Sequence, residues 1–265
     1  MVVGILNVTP DSFSDGGAWA STDDAVTAAL DMLADGATWI DVGGESTRLG
    51  ALLVPSSVEA ARVVPVIQAL RARTKATISV DTIKASVAAA ALDAGADVVN
   101  DVSGGAADRE MVGLVRTRGV PIVVGHVTGA TPADAHAGAE PSFDDVVRGL
   151  RERLDALDPA SRARAIVDPG IGFGKGAARN LELLARAGEL GRACGGRPVM
   201  VGPSRKRFLA ELTGGRPAAD RDAATVGACL AAVAAGASYV RVHAVAEMVQ
   251  ALAAFTAVRA AGSPP

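Results

Sequence analysis

Short apolar runs alternate with polar or glycine-rich breaks and alanine-rich helical stretches along the whole chain. The runs at 2–8, 39–42, 76–81, 97–102, 121–127, 165–168, 198–202 and 239–243 are nearly continuous in apolar residues, as strands covered on both faces are. Between them, segments 22–35, 57–73, 84–94, 108–118, 143–157, 178–190, 205–213 with 222–235, and 246–260 suit helices. Ser21 or Thr22 suits the first N-cap, and Gly36, Gly95 and Gly119 fall where C-terminal glycines belong. Eight β-then-α units predict an α/β fold, the (β/α)8 TIM barrel; a doubly wound open sheet is the competing arrangement. No linker or change of composition divides the chain, so residues 1–265 read as a single domain.

Composition narrows the picture. Apolar residues make up 49% and aromatics only 3%, so Ala, Val, Leu and Ile must build the core. The net charge is −3 and no basic run occurs, which argues against a nucleic-acid partner. Cys194 and Cys229 lie far apart without metal-ligand spacing and read as reduced thiols. The first residues enter a strand directly, without a charged segment followed by an apolar one, so no signal peptide is expected. No apolar run approaches the roughly 18 residues of a membrane span, and a cytoplasmic location is expected.

Polar residues interrupt the apolar runs at their C-terminal ends: Asn7, Asp41, Asp81, Asn100-Asp101, His126, Asp168, Ser204, Arg241 and His243. That is where a TIM barrel gathers its reacting groups, and so many amides, carboxylates and bases point to a small-molecule site. Asp41 and Asp101 also suit helix N-caps. Loops 9–17 and 43–50, with glycines near their ends, suit lids; loop 129–141 suits a solvated connector. Gly202-Pro203-Ser204-Arg205-Lys206-Arg207 reads as a strand-to-helix turn. There Ser204 or a neighbour would cap a helix, and three cations would strengthen its preference for an anion. Lys206 reads as a fixed cation rather than a Schiff-base lysine.

Other motifs fail on spacing. Gly170-Ile171-Gly172-Phe173-Gly174-Lys175-Gly176 lacks both the dinucleotide fingerprint and the Gly-Lys-Ser/Thr ending of a P-loop. Three histidines cannot supply the paired-His metal nest of a barrel hydrolase, and no nucleophile elbow is present.

Longer motifs carry a family resemblance. Gly4-Ile5-Leu6-Asn7-Val8-Thr9-Pro10-Asp11-Ser12-Phe13-Ser14-Asp15-Gly16-Gly17 resembles the opening signature of dihydropteroate synthases, and Asp41-Val42-Gly43-Gly44-Glu45-Ser46-Thr47-Arg48 their second. Ser79-Val80-Asp81-Thr82, Asn100-Asp101-Val102, Asp168-Pro169-Gly170-Ile171-Gly172-Phe173-Gly174-Lys175, Ser204-Arg205-Lys206 and Arg241-Val242-His243 follow in family order, so the likeness spans residues 4 to about 245. It implies 6-hydroxymethyl-7,8-dihydropterin diphosphate and p-aminobenzoate as substrates and dihydropteroate and diphosphate as products. It also implies a transferase of folate biosynthesis, a sulfonamide target and a homodimer.

For the residues, the resemblance implies that Asp168 accepts from the paired N–H donors of the pterin edge, with Asn100, Asp81 and Lys206 along the ring. Arg241 would stack on the pterin. Arg241, His243 and Arg48 would meet the diphosphate, with a Mg²⁺ ion taking an oxygen from Asn7. Phe13, Asp15, Thr47 and Arg48 would cover the reacting centre. p-Aminobenzoate would lie near Phe13, Phe173 and Lys206, its carboxylate near Ser204-Arg205. Three positions depart from the family pattern: Leu49 replaces a usual Pro, Gly125 a usual Met, and Ala244 a usual Asp. A pterin-dependent methyltransferase and a non-catalytic pterin-binding homologue stay open beside the synthase.

Overall fold

The structure is a computed structural model that describes residues 1–9, 21–46, 53–129 and 139–262. The strands are β1 (Val2–Asn7), β2 (Trp39–Gly43), β3 (Thr77–Asp81), β4 (Val98–Asp101), β5 (Ile122–Gly125), β6 (Ile166–Asp168), β7 (Met200–Val201) and β8 (Tyr239–Val242). All pair in parallel with their sequence neighbours, and β8 returns to β1. Between β6 and β7 a parallel bridge joins Val167 to Val199, and the Val167 N–H donates to the Pro198 carbonyl at 2.9 Å. The sheet therefore closes into a TIM barrel rather than lying open. β7 is shorter than its apolar run because prolines at 198 and 203, which carry no N–H, flank it.

Helices cover the outside: α1 (Thr22–Ala34), α2 (Ser56–Arg71), α3 (Ala85–Asp93), α4 (Glu110–Arg118), α5 (Phe143–Ala156), α6 (Pro159–Ala163), α7 (Ala177–Ala185), α8 (Ala187–Ala193), α9 (Arg207–Leu212), α10 (Asp222–Ala234) and α11 (Val245–Ala261). Ser21 caps α1 by accepting from the Asp24 N–H at 3.2 Å. Two elements were not anticipated. A 3-10 turn, Ala218–Arg221, leads into α10, and α6 starts at Asp158-Pro159, a cap-and-proline signal that apolar periodicity overlooks. The helix expected over 178–190 is broken into α7 and α8. Gly188 there donates to the Ala235 carbonyl at 2.8 Å, and a Cβ on Gly188 would stand 2.5 Å from that oxygen. Contact with the end of α10 thus outweighs helical continuity.

The core has two layers. Val2, Leu6, Ile40, Val42, Val80 and Val99 face the surrounding helices within one large aliphatic cluster. Inside the barrel, Val3, Trp39, Val98, Val123, Ile166 and Met200 form a separate plug with Tyr239, whose ring meets Trp39 edge-on at 5.7 Å. Every second residue of a strand points inward. Two residues on from the plug stand Asp41, Asn100, Asp168 and Arg241, with Ser79 level with Asp41 on β3 and only Ile5, Gly125 and Gly202 non-polar. The interior therefore turns polar toward the C-terminal ends of most strands. Cys194 and Cys229 are free and buried; burial pushes their thiols up to about 11 and about 12, far from reactive. Among the described residues no helix is long and apolar enough to cross a membrane.

Candidate active site

Strand register sets the floor of the mouth. Asn7 pairs with Gly43, Gly43 with Asp81, and Asp81 with Asn100, which puts three polar side chains in one row across four strands. Below that row Asp41 is 1% exposed and is held by three donors: Asn100 Nδ2 at 2.8 Å, Arg241 Nε at 2.5 Å, and the Ser79 hydroxyl. Ser79 in turn accepts from Trp39 Nε1 at 2.6 Å, so the apolar plug and the polar mouth are joined. Arg241 also donates through Nη2 to Asp81 at 2.6 Å.

These contacts set the chemistry offered to a ligand. With one Nδ2 hydrogen committed to Asp41, Asn100 keeps its amide oxygen as an acceptor and its second N–H as a donor. Burial in the mouth pushes the Asp81 carboxyl up to about 7; Arg241 opposes that shift and the nearby charge of Asp41 adds to it. Its side chain is still 19% exposed, so water reaches it. Burial alone would lower the Arg241 guanidinium, but Asp41 and Asp81 outweigh it and keep the group firmly charged.

Asp168 ends β6 and accepts the Gly170 N–H at 2.7 Å; burial raises its pKa, against that hydrogen bond and the charge of Lys206. Lys206 reaches in from the other side of the mouth, its Nζ bonded to the Ile171 carbonyl and 4.1 Å above the Phe173 ring. Burial lowers it to about 8, with Asp168 opposing. Gly172 makes this approach possible: its φ is +83°, and a Cβ there would stand 2.6 Å from Lys206 Cδ. The glycine-rich 170–176 segment thus serves close packing, in keeping with its mismatch to phosphate-binding motifs.

On the other flank, Asn7 Nδ2 lies 3.5 Å from His243 Nε2, and His243 Nδ1 lies 2.9 Å from the Ser204 hydroxyl. Ser204 also accepts the His243 N–H at 3.1 Å. This corrects the expectation that Ser204 or a neighbour caps a helix. α9 begins at Arg207 after Lys206, without any side-chain cap, and Ser204 is taken up by the end of β8. Nor do the three cations of this turn converge. Arg205 adopts φ +57° and turns to a two-pronged ion pair with Asp222 at 2.8 and 2.7 Å; Arg207 is exposed; Lys206 alone enters the mouth.

Neither Asp41 nor Asp101 caps a helix. Asp101 accepts from the N–H groups of Ser103, Gly104 and Gly105 and shapes the turn after β4. His126 faces outward, its ring against Gly149 of α5, and burial pushes it down to about 3, so it stays neutral. Gly125 leaves no gap in the mouth: a Cβ there would lie 2.4 Å from the Val102 backbone. Phe13, Asp15, Thr47, Arg48 and Leu49, and most of loops 9–17 and 129–141, lie outside the described residues. Glu45, which precedes that part of the second loop, accepts from Lys84 at 2.8 Å and from the Val54 N–H at 2.6 Å. Lys84 also bonds the fully buried Glu59 at 2.6 Å.

Sequence reasoning missed Asp41 as an anchor and Ser79 altogether. Both lie two residues before the inward positions Gly43 and Asp81, so the alternation of a strand would have placed them inside the barrel.

A family model described as pterin binding enzyme matches residues 3–243. The dihydropteroate synthase of Mycobacterium leprae is 44% identical, over 95% of this chain and 90% of that protein. The chain belongs to the dihydropteroate synthase family of pterin binding enzymes. A family member from Haloferax volcanii, named a probable bifunctional folylpolyglutamate synthase/dihydropteroate synthase, is 48% identical over 95% of this chain. The chain spans only 30% of that relative's length, and 46% of a bifunctional folate synthesis protein from Arabidopsis thaliana. Among solved dihydropteroate synthase structures, that of Xanthomonas albilineans with 4-aminobenzoic acid superposes with a TM-score of 0.88 at 43% identity, over 99% of this chain and 93% of that one.

Proposed function

We propose that this chain, acting as one domain, condenses 6-hydroxymethyl-7,8-dihydropterin diphosphate with p-aminobenzoate to give 7,8-dihydropteroate and diphosphate. One observation carries the reading: Asp81, Asn100, Asp168, Lys206 and Arg241 share a single barrel mouth in a chain of this family. Three acceptors facing two cations suit a flat heterocycle with a donor-rich edge and an anionic tail.

In the proposed reaction the bond between the pterin methylene and the diphosphate oxygen breaks, and diphosphate leaves with the electron pair. The pterin ring stabilises the resulting cation. The aminobenzoate nitrogen then bonds to the methylene carbon and gives up a proton. No protein nucleophile is required. Asp168, Asn100 and Asp81 hold the ring, Lys206 and Arg241 supply positive charge, and Phe173 borders the aminobenzoate. Phe13, Asp15, Thr47 and Arg48 are proposed to close over the centre, and His243 and Ser204 to face the anionic groups.

Magnesium fits this site on one condition. Among the described residues no group of three His, Cys, Asp or Glu could hold a metal. Asn7 offers a single amide oxygen, enough only for an ion that keeps water and phosphate oxygens as its other ligands, as Mg²⁺ does. When bound, Mg²⁺ would neutralise charge on the leaving diphosphate.

A homodimer in the cytoplasm completes the proposal. Its support is the exposed side of α10 and α11, where Ala223, Gly227, Ala231, Ala254, Ala257 and Val258 face solvent.

The test measures diphosphate release with each substrate alone, with both, and without Mg²⁺. Release that needs both substrates and the metal is expected. Pterin binding without release would point to a non-catalytic homologue instead.

A further inference from the structure

Lys175 has no place among the groups assigned above, yet it is 6% exposed. Burial, with the charge of Lys206 adding to it, lowers its ammonium to about 7, so its charge depends on the partners it finds. Its partners are all carbonyl oxygens: Gly170 at 2.9 Å, Phe173 at 2.9 Å and His126 at 3.2 Å. Three donors meet three acceptors, so the ammonium fills a cage built from the loop after β6 and the tip of β5. Two of the three oxygens belong to residues 170 and 173, on either side of Ile171, whose carbonyl receives Lys206.

The rest of the loop is fastened around that cage. Asn180, 1% exposed, accepts the Gly172 N–H at 2.7 Å and donates to the Lys175 and Gly176 carbonyls, both at 2.9 Å. A Cβ on Gly170 would lie 1.8 Å from the His126 oxygen, so the backbone crosses the tip of β5 with no room to spare. Without the ammonium, the Phe173 and His126 carbonyls would lose this donor, and the Gly170 carbonyl would keep only the Phe173 N–H at 3.1 Å. Asp81 and Asn100, by contrast, stand on β3 and β4, and Asp168 stands on β6, touching this loop only through the Gly170 N–H.

We infer that Lys175 is a positioning residue: its ammonium serves as a built-in cation that moulds the loop bearing Ile171 and Phe173, and so sets the aminobenzoate side of the mouth first, reaching the pterin side only through the seat of Lys206 on Ile171. The substrate names rest on the function proposed above; the cage itself does not.

Lys175→Ala removes three methylene groups and the ammonium, a void with the shape of propylammonium. Added propylammonium is therefore expected to restore what the substitution takes away. Lys175→Met fills the same void with an apolar chain and is expected to resist rescue. In the two-substrate assay both variants should raise the KM for p-aminobenzoate about tenfold or more, and weaken the pterin diphosphate several-fold less than that, since only the seat of Lys206 on Ile171 is disturbed on that side. Independently of turnover, hydrogen exchange at the Gly172 and Phe173 amides should quicken in Lys175→Ala and slow again with propylammonium. The inference is overturned if exchange and aminobenzoate KM stay unchanged in either variant that folds, or if both substrates weaken equally without rescue. Should wild type couple no substrates, the functional proposal fails while the exchange arm still judges the cage.

Discussion

Arg241 Nε lies 2.5 Å from Asp41 Oδ2, across the barrel interior from β8 to β2, and this contact is buried below the ligand-facing groups. It means that the cation of the mouth is aimed from beneath, by a carboxylate that no ligand needs to touch. Asp41→Ala would leave Arg241 with Asp81 alone and strand Ser79 and the Asn100 amide. A loss of about 3 kcal/mol in stability is expected, the low end for breaking a buried pair because one partner remains. Urea unfolding checks it; a loss under about 1 kcal/mol would mean that Asp41 is not the anchor.

Asp168→Asn turns one acceptor into a donor that faces a donor. Calorimetry with the pterin diphosphate should show affinity down at least about a hundredfold, since a site built to hydrogen-bond strongly rejects a mispaired edge. Near-normal affinity would remove Asp168 from the recognition set.

The mouth should also respond to pH. Asp81 titrates near 7 and must be ionised to accept, while Lys206 titrates near 8 and must be protonated to donate. The kcat/KM for the pterin substrate is therefore expected to rise through about 7 and fall above about 8. Asp81→Asn should abolish the rising limb. Stability moves the other way. Asp81 binds its proton more tightly folded than unfolded, so its contribution is full below the ordinary aspartate value of 3.8 and lost as pH rises through about 7. A rising limb unchanged in Asp81→Asn would assign it to another group.

Gly172→Ala tests the close approach of Lys206. At φ +83° and 2.6 Å from Lys206 Cδ, a methyl group must displace the loop or the lysine. Turnover should fall about tenfold or more while far-UV circular dichroism stays native. Normal turnover would show that the lysine's position there is not needed.

Ala244 occupies the N-cap of α11 and makes no side-chain cap, with Glu247 three residues on. Ala244→Asp would complete a capping box and is expected to add about 1 kcal/mol, or roughly 2–4 °C in melting temperature. An unchanged melting temperature would show that the backbone here does not admit the cap. At Gly125 a Cβ would lie 2.4 Å from the Val102 backbone, so the chain here has no room for a side chain.

Much of this protein could be read from its sequence. Eight apolar runs separated by helical stretches fixed the alternation, because strands buried on both faces leave a continuous apolar trace. The placement of the strand-end residues Asp81, Asn100, Asp168 and Arg241 at the mouth was also legible, since a TIM barrel gathers polar groups there, although Asp101 and His126, equally polar strand ends, turn away from it. Closure between Val167 and Val199 was not legible, because it depends on stagger accumulated over eight strands. Nor was the fate of Arg205, which turns to Asp222, or of Lys175, whose partners are backbone oxygens. A sequence states which charges exist; only the packed backbone decides which carbonyls and carboxylates come within reach of them, and hence which charges face the mouth and which hold it together.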